Sequence, residues 1–484
     1  MQDVTTARRS ALDRAERLRR LSETEQDLVR LANEPGFWRW LEQIKSTGGC
    51  AHPIYLAGHT TTARATTGEV LSCYDTAPEP GGRLAVRCRN RRASRCPPCS
   101  YLHSGDTFQL VRSGLLGGKG TPSSVAEHPR LFVTLTAPSF GSVHRVTHGG
   151  ELCRARRGGG QCEHGRAVGC GLRHSRDDPA VGQPLCPDCY DYSAHVLWHA
   201  HAGELWNRTT RMIRRHLAGA GGIPQSRVGE HLRLSFAKVA EYQQRGAVHF
   251  HAVVRLDGPN GPDSPPPAWT TARLLSAAVR SAAAAAEVLM PYVFGLGEHT
   301  FRWGAQLDVH AIRRAFDDGP VTDQAVAAYV AKYVSKSVGD AGGCDRPVTS
   351  SEEIALLPVS AHTRALMGTC WRLGRLPELD HLRLRSWAHT LGYRGHALTK
   401  SRRYSTTYGE LRDARTSHKG GLGQEPIAGA PDVITVSAWR YVGSGHTAAQ
   451  AEIAAGIAED RAQLRAILYE ERCAGGSASV GVAA

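Results

Sequence analysis

The most regular pattern in the chain is an alternation of apolar residues over Gly246–Leu256. Apolar side chains occupy every even position from 248 to 256, which predicts a strand with His249 and His251 together on its other face. Two imidazoles about 7 Å apart on one strand face can bind one divalent metal ion. A His-x-His pair also arises by chance in a chain with 23 histidines, so its neighbours decide its meaning.

A second strand-like run precedes this one and predicts a β-hairpin. Leu232–Glu241 forms the partner strand, and Gln243–Gly246 forms the turn, where glycine supplies a positive φ angle. Folding the hairpin brings Glu241 roughly opposite His249. Two histidines and one carboxylate with open coordination positions are typical of a site for a hard or borderline metal, here Mg²⁺ or Mn²⁺.

Weaker patterns predict the elements around this hairpin. Leu131–Thr136 is a β-rich run that is expected to join the same sheet, and Phe301–Val309 predicts another strand. Helices are predicted over residues 6–45, 193–217, 270–289 and 447–471. We therefore expect an α+β fold.

Two tyrosines lie on a helix that is predicted over Asp323–Lys336. Tyr329 and Tyr333 are four residues apart and share one helix face, while Lys332 and Lys336 share the adjacent face. Two tyrosines on an amphipathic helix usually pack in a core. A tyrosine hydroxyl can also attack a phosphodiester when a metal polarises the phosphate, and nearby lysines can hold the charged group.

The cysteines favour metal sites. No stretch approaches 18 apolar residues and the amino terminus lacks an apolar signal core, so we expect a cytoplasmic protein without a membrane span. In that compartment 13 cysteines indicate metal binding in preference to disulfides. Cys96-Pro-Pro-Cys99 is a zinc knuckle, and Cys88 with either Cys50 or Cys73 completes a tetrahedral set. The alternative is that these are free core cysteines.

A second cysteine-rich segment, residues 150–192, interrupts the strand pattern and is predicted to be an inserted zinc module. The expected ligands are Cys162, Cys170, Cys186 and Cys189. The reserve ligands are Cys153, His164 and His174. Two structural zinc ions per chain are therefore expected, one from each knuckle.

Positive charge dominates the composition, with 59 Lys and Arg against 45 Asp and Glu and a net charge of +14. Guanidinium groups suit phosphate, so nucleic acid is the first partner to expect, although an Arg-preferring genome gives the same balance. Gly117–Gly120 lacks the spacing of a phosphate-binding loop, so no ATPase motor is expected. A basic strip is predicted either to bind DNA or to be a solvated loop: Arg394, His396, Lys400, Arg402, Arg403 and Tyr404.

Together these motifs resemble those of the HUH endonucleases. His249-Phe-His251 resembles the His-hydrophobe-His motif, and Tyr329–Lys336 resembles the two-tyrosine motif of rolling-circle replication initiators. Leu131–Thr136 resembles the first β motif of the family, and Glu241 resembles a carboxylate that joins the histidines in several branches. Other stretches resemble replication initiators of actinobacterial plasmids and integrative elements: Cys50–Pro53, Cys96–Cys99, Ala240–His251 and Gly395–Tyr404.

The resemblance implies a fold and a domain organisation. The fold would be an antiparallel, ferredoxin-like HUH endonuclease sheet with flanking helices. A helical arm and zinc-knuckle region would span residues 1–125, and the endonuclease domain with its zinc insertion at about 150–192 would span 126–345. A basic C-terminal region with a terminal helix and a disordered tail would span 346–484.

The resemblance also implies a reaction. Glu241, His249 and His251 would hold Mg²⁺ or Mn²⁺ against a phosphate of single-stranded origin DNA, and Tyr329 or Tyr333 would attack it. The products would be a 5′-phosphotyrosyl link and a 3′-OH primer for a host polymerase, with a host helicase opening the duplex. The alternatives are a relaxase or single-strand transposase with the same chemistry, and a non-catalytic zinc-dependent DNA-binding regulator.

Overall fold

The structure is a computed structural model that describes residues 20–149, 151–154, 160–312, 322–334, 343–420 and 432–477, together with Glu16. In this part of the chain, helices α1 to α10 span Glu23–Ala32, Phe37–Thr47, Pro97–Leu116, Tyr192–Ala220, Ala272–Ala285, Asp323–Val334, Ser351–Leu356, Ala361–Leu373, Tyr408–Gly420 and Ala448–Ser477. Strands β1 to β11 span Ile54–Arg64, Val70–Asp75, Leu84–Val86, Arg130–Leu135, Arg233–Tyr242, Val248–Asp257, Glu287–Val293, Gly297–Arg302, Leu307–Ala311, Leu398–Lys400 and Val433–Ser444. None of the described helices is long and apolar enough to cross a membrane.

The chain divides into two compact units, Met1–His103 with Arg412–Ala484, and Ser104–Leu411. In the first unit β11 pairs antiparallel with β1 along its whole length, and β2 and β3 also pair with β1. Apolar side chains from α1, α2 and α10 pack into a small core with this sheet. The division differs from the predicted regions 1–125, 126–345 and 346–484, because a C-terminal strand completes the N-terminal sheet.

The second unit is built on a five-stranded antiparallel sheet with the order β10-β5-β6-β4-β9. Helices α4 and α5 cover the face that carries Phe250 and Val254. Helices α3 and α6 cover the face that carries Val239 and Val253. The alternation predicted for β6 is therefore present. Because β6 is a central strand, Val253 on the histidine face is buried as well.

Most predicted elements occur near their expected positions, and three differ. The helix predicted over residues 6–45 is two helices, α1 and α2, separated by residues 33–36, and residues 6–19 apart from Glu16 lie outside the described residues. Residues 301–309 do not form one strand: β8 ends at Arg302 and pairs with β7, whereas β9 begins at Leu307 and joins the main sheet. Gly304 lies between them with its N–H bonded to the carbonyl of Thr136, and a Cβ there would meet the Ala137 carbonyl oxygen at 2.6 Å. The helix predicted over 270–289 ends at Ala285, because the chain continues as β7.

Candidate metal and nucleophile site

The hairpin of β5 and β6 brings Glu241, His249 and His251 together on one face of the sheet. Glu241 pairs directly with His249 in the strand register, and Gly246 closes the turn at a φ of 75°. Oε2 of Glu241 lies 3.0 Å from Nε2 of His249 and 3.2 Å from Nε2 of His251, and the two Nε2 atoms lie 3.0 Å apart. The predicted register of the hairpin is therefore the observed one.

The geometry and the donor types fit a divalent cation. Three ligand atoms that form a triangle with edges of 3.0–3.2 Å leave room for a cation about 2.1 Å from each atom. One carboxylate and two imidazoles are ligands that hard or borderline divalent metals accept. Burial lowers the pKa of His251, which keeps its imidazole neutral and able to bind a metal.

Neighbouring side chains orient the two histidines. Thr134, which faces His251 across the β4–β6 pair, has its Oγ1 3.0 Å from Nδ1 of that histidine. Nε2 of Gln243 lies 3.5 Å from Nδ1 of His249, and the ring of Phe132 stacks on His251 with centroids 5.8 Å apart. Because Nδ1 of each ring faces a protein group, Nε2 remains directed towards the shared site.

Helix α6 places Tyr329 beside the group formed by Glu241, His249 and His251. Its hydroxyl lies 3.1 Å from Nε2 of His251, and its ring packs edge-on against Phe132 and His251. A buried ion pair between Asp323 and Arg130, with an N–O distance of 2.7 Å, ties the first residue of α6 to the first residue of β4. The sheet and this helix are thus fixed to each other close to the tyrosine.

The structure describes the other predicted residues of this helix to different extents. Tyr333 lies one turn after Tyr329 on the described backbone of α6. Lys332 is exposed. Lys336 lies outside the described residues. A second nucleophile at Tyr333 and phosphate contacts by the two lysines therefore stay predictions.

The four cysteines predicted to bind zinc in the first unit come together as a group: Cys50, Cys88, Cys96 and Cys99. Sγ of Cys50 lies 3.8 Å from Sγ of Cys96 and 3.6 Å from Sγ of Cys99, close to the ~3.8 Å that tetrahedral zinc–thiolate geometry requires. The hydrogen bond with Cys88 lowers the pKa of Cys50 to about 7. Cys73 is exposed on β2, so Cys50 is the fourth member.

The inserted segment contains two Cys/His groups where one was predicted. The first comprises Cys162, His164, Cys186 and Cys189, and the second comprises His144, Cys153, Cys170 and His174. The assignment of Cys170 to the first set is therefore corrected. A backbone bridge between Arg154 and Cys170 holds this cysteine next to Cys153, whereas the tight turn after Cys162 brings His164 to the knuckle.

The second group has a carboxylate behind one of its histidines. Nε2 of His174 lies 3.1 Å from Nδ1 of His144 and 3.4 Å from Sγ of Cys170. Nδ1 of His174 lies 2.6 Å from Asp178, and this hydrogen bond raises the pKa of His174. A carboxylate that orients a ligand histidine is typical of zinc sites. Together with the four-cysteine group of the first unit, three groups can thus hold a metal ion, one more than the two that the sequence predicted.

The predicted DNA-binding strip is only partly available for a ligand. Tyr404 is fully buried, and its hydroxyl donates to the carbonyl of Val111, so the prediction that it stacks on a base is wrong. Lys400 donates to the carbonyls of Arg402 and Ser405, which uses two of its three N–H groups internally. The remaining members are exposed: Arg394, His396, Arg402 and Arg403.

Sequence reasoning missed the residues that orient the histidines. Thr134 lies in a segment that was predicted to join the sheet, but its place opposite His251 depends on the register of two strands far apart in sequence. The sequence pattern assigns Gln243 only to the turn. His144 had no spacing motif, because it lies outside the cysteine-rich segment and joins it through backbone hydrogen bonds with Gln183 and Gly182.

Comparison with known proteins gives the family. The family described as RepSA, Replication initiator protein, pSAM2, matches residues 36–459. A Replication initiator protein of Streptomyces ambofaciens is 46% identical over 443 residues, which cover 90% of this chain and 92% of that relative. No solved structure matches the chain. The match over most of the chain shows that it belongs to the replication initiator protein family.

Proposed function

We propose that this replication initiator nicks one DNA strand at its origin by a metal-dependent tyrosine attack, as HUH endonucleases of the two-tyrosine type do. The observation that carries the proposal is the position of Tyr329, whose hydroxyl lies 3.1 Å from Nε2 of His251 within the Glu/His/His group. A candidate nucleophile and a three-residue ligand set thus lie next to each other on one face of the sheet. A non-catalytic zinc-dependent regulator would leave this arrangement without a role.

The fold supports the same proposal. The histidine strand β6 is central in an antiparallel sheet, and the tyrosine helix α6 packs on the face that carries the ligands. We therefore infer a ferredoxin-like HUH sheet for the second unit. The order of the motifs along the chain, from β4 through the hairpin to α6, is the order that the resemblance implies.

The reaction would proceed at one phosphate of the origin strand. Bound Mg²⁺ or Mn²⁺ would supply Lewis-acid polarisation of that phosphate. The oxygen of Tyr329 forms a bond to phosphorus while the bond to the 3′ oxygen breaks, and the departing oxygen takes up a proton as the tyrosine loses one. Glu241, His249 and His251 hold the site together, and Lys332 lies on the same helix as a cation for the strand.

The product accounts for initiation. A free 3′-OH would prime a host polymerase, and the 5′ end would stay covalently bound to the protein while a host helicase opens the duplex. Tyr333, one helical turn from Tyr329, would cleave after one round and allow the first end to be rejoined. One phosphodiester replaces another at each step, so the break can be resealed.

The zinc ions would have a separate, structural role. The three Cys/His groups are each closed sets of four ligands, unlike the three-ligand group on the sheet. We therefore propose three structural zinc ions per chain. A relaxase or a single-strand transposase would use the same chemistry at the sheet, and membership of the initiator family favours replication over transfer.

A nicking assay tests the proposal. Supercoiled plasmid that carries the cognate origin is expected to become open-circular in the presence of Mg²⁺ or Mn²⁺, with one protein bound to a 5′ end. Tyr329→Phe keeps the ring and removes the nucleophilic oxygen, so nicking is expected to fall sharply while Mn²⁺ binding persists. Full nicking by the double variant Tyr329→Phe/Tyr333→Phe would overturn the proposal.

A further inference from the structure

A cleft lined by arginines lies in the second unit, away from the Glu/His/His group. It has a volume of about 640 Å³, and its walls come from α4, from the short turn Gln225–Glu230, from the start of β5 and from the segment after β10. We call it the arginine cleft. Its arginines are Arg211, Arg214, Arg215, Arg233, Arg402 and Arg403.

Within the described part of the chain, no ion pair neutralises the positive charge of the arginine cleft. Among the described residues, no carboxylate oxygen lies within 4.0 Å of any of the six guanidinium groups. By contrast, Arg208 on the same helix α4 pairs with Glu204, and Arg227 beside the cleft pairs with Glu230. An anionic ligand would relieve the repulsion among these groups.

Part of the cleft is already fixed in position. Nε of Arg233 donates to the carbonyl of Pro259 at 2.5 Å, and a terminal nitrogen of Arg403 donates to the carbonyl of Asn260 at 3.2 Å. A guanidinium group has five N–H donors, so each of these side chains keeps further donors for a ligand. Guanidinium forks match the two free oxygens of a phosphodiester.

The rest of the lining distinguishes duplex from single-stranded DNA. Besides the arginines, the described residues of the cleft are aliphatic, uncharged polar or glycine, and none is aromatic. Proteins that hold single strands usually provide aromatic rings on which the bases stack. Contacts to the backbone of a duplex need only cations and hydrogen-bond donors. The lining therefore favours the phosphates of a duplex.

One residue of the cleft wall, Arg233, lies on the same strand as Glu241 of the candidate nick site. Arg233 and Glu241 project from the same face of β5, eight residues apart, which is about 27 Å along the strand. That length equals about eight base-pair steps of B-DNA at roughly 3.4 Å per step. A duplex that begins near the cleaved phosphate would thus reach the cleft within one helical turn.

We propose that the arginine cleft binds the backbone phosphates of duplex DNA that flanks the nick site, and so positions the origin without reading its sequence. The inference rests on the proposed function, because the distance to the nick site gives the cleft its role. It adds a second contact region to the protein. Tyr329 and the residues that would hold the metal, Glu241, His249 and His251, would engage an unpaired strand, and the cleft would hold the adjacent paired DNA.

Fluorescence anisotropy with a labelled duplex of arbitrary sequence and with its labelled single strand tests this proposal. The triple variant Arg211→Ala/Arg214→Ala/Arg215→Ala removes three exposed cleft side chains from α4. The matched control Arg208→Ala removes an arginine of the same helix that is paired outside the cleft. For the triple variant, the slope of log K against log salt is expected to fall by up to about 2.7, at about 0.9 per lost phosphate contact. Arg208→Ala is expected to match the unsubstituted protein.

Several outcomes would overturn the inference. A triple variant that binds the duplex like Arg208→Ala would show that the cleft does not hold DNA, and an equal loss for duplex and single strand would remove the assignment to paired DNA. Thermal melting checks the fold, and the single variants Arg211→Gln and Arg215→Gln give the slope if the triple variant melts early. Failure of the proposed function would appear separately, as absence of a covalent DNA adduct in the unsubstituted protein.

Discussion

The Glu/His/His group on the sheet and the two Cys/His groups of the insertion differ in how the fold brings their ligands together. Glu241, His249 and His251 lie within eleven residues of one hairpin, and the strand register places their side chains together, with ligand atoms 3.0–3.2 Å apart. The insertion draws its ligands from separate loops, with isolated backbone bridges between them. We therefore expect the sheet to form the first site without metal, and the two groups of the insertion to depend on bound metal ions for their fold.

The largest expected effect follows from removing zinc. The double variant Cys186→Ser/Cys189→Ser is expected to bind two zinc ions per chain in place of three, and to lose the fold of the insertion together with all nicking, because structural zinc supplies folding free energy. Elemental analysis and thermal melting measure both effects. Cys73→Ser, which changes an exposed cysteine outside the groups, is the control and should retain three ions. Three ions in the double variant would contradict the assignment.

The next effect is loss of chemistry without loss of fold. His249→Ala and His251→Ala are each expected to abolish nicking and Mn²⁺ binding, measured by electron paramagnetic resonance, and to leave the thermal melting temperature nearly unchanged. The reason is that the sheet fixes this site without metal. His381→Ala, an exposed histidine away from the site, serves as the control. Unfolding of either histidine variant would contradict the view that the sheet, unlike the zinc groups, forms its site without metal.

The same contrast explains what the sequence could predict. The alternation over β6 and the glycine of the turn determine which residues share a face, so Glu241 opposite His249 was predictable. The group to which Cys170 belongs was not predictable, because a backbone bridge with Arg154 places this cysteine next to Cys153, and sequence spacing does not reveal that bridge. Tyr404 was misassigned because a basic neighbourhood in sequence does not reveal that the ring fills the space beside Gly114. Local periodicity is therefore a better guide than composition.

A smaller effect is expected from the residue that orients His251. Thr134→Val removes the hydroxyl 3.0 Å from Nδ1 of His251 and is expected to lower Mn²⁺ affinity or nicking by about 10- to 100-fold. Thr136→Val removes the hydroxyl that donates to the carbonyl of Gln306, elsewhere on the same segment. Equal losses in the two variants would mean that the effect is a general loss of stability. A loss confined to Thr134→Val would show that the hydrogen bond acts through the histidine.

The smallest expected effect on nicking comes from the other face of the hairpin. Lys238 is buried there, with Nζ 3.7 Å from the ring centroid of Phe250, and burial lowers its pKa from 10.5 to about 7. Between these values the unfolded chain holds a proton that the folded chain lacks, so stability rises as pH rises from about 7 to about 10.5. Lys238→Met should remove this slope and raise the free energy of unfolding at pH 7 by roughly 1–3 kcal/mol, with nicking unchanged.

Urea unfolding at pH 7 and pH 9 measures this slope. Lys45→Met, at an exposed position, is the control and should leave the slope as it is. A pH slope that persists in Lys238→Met would show that other groups cause it. Altered nicking in that variant would show that the metal site depends on packing across the sheet, and would weaken the view that strand register forms it.

The most direct test of the central claim is mass spectrometry of the protein after reaction with origin DNA and Mg²⁺. Trypsin cuts after Lys332, so Tyr329 and Tyr333 appear in different peptides and can be scored separately. We expect a nucleotide linked through its 5′ phosphate to the Tyr329 peptide, with a second adduct on the Tyr333 peptide when a second cleavage is allowed. Nicked DNA without any tyrosyl adduct, or an adduct on a residue outside α6, would contradict the account.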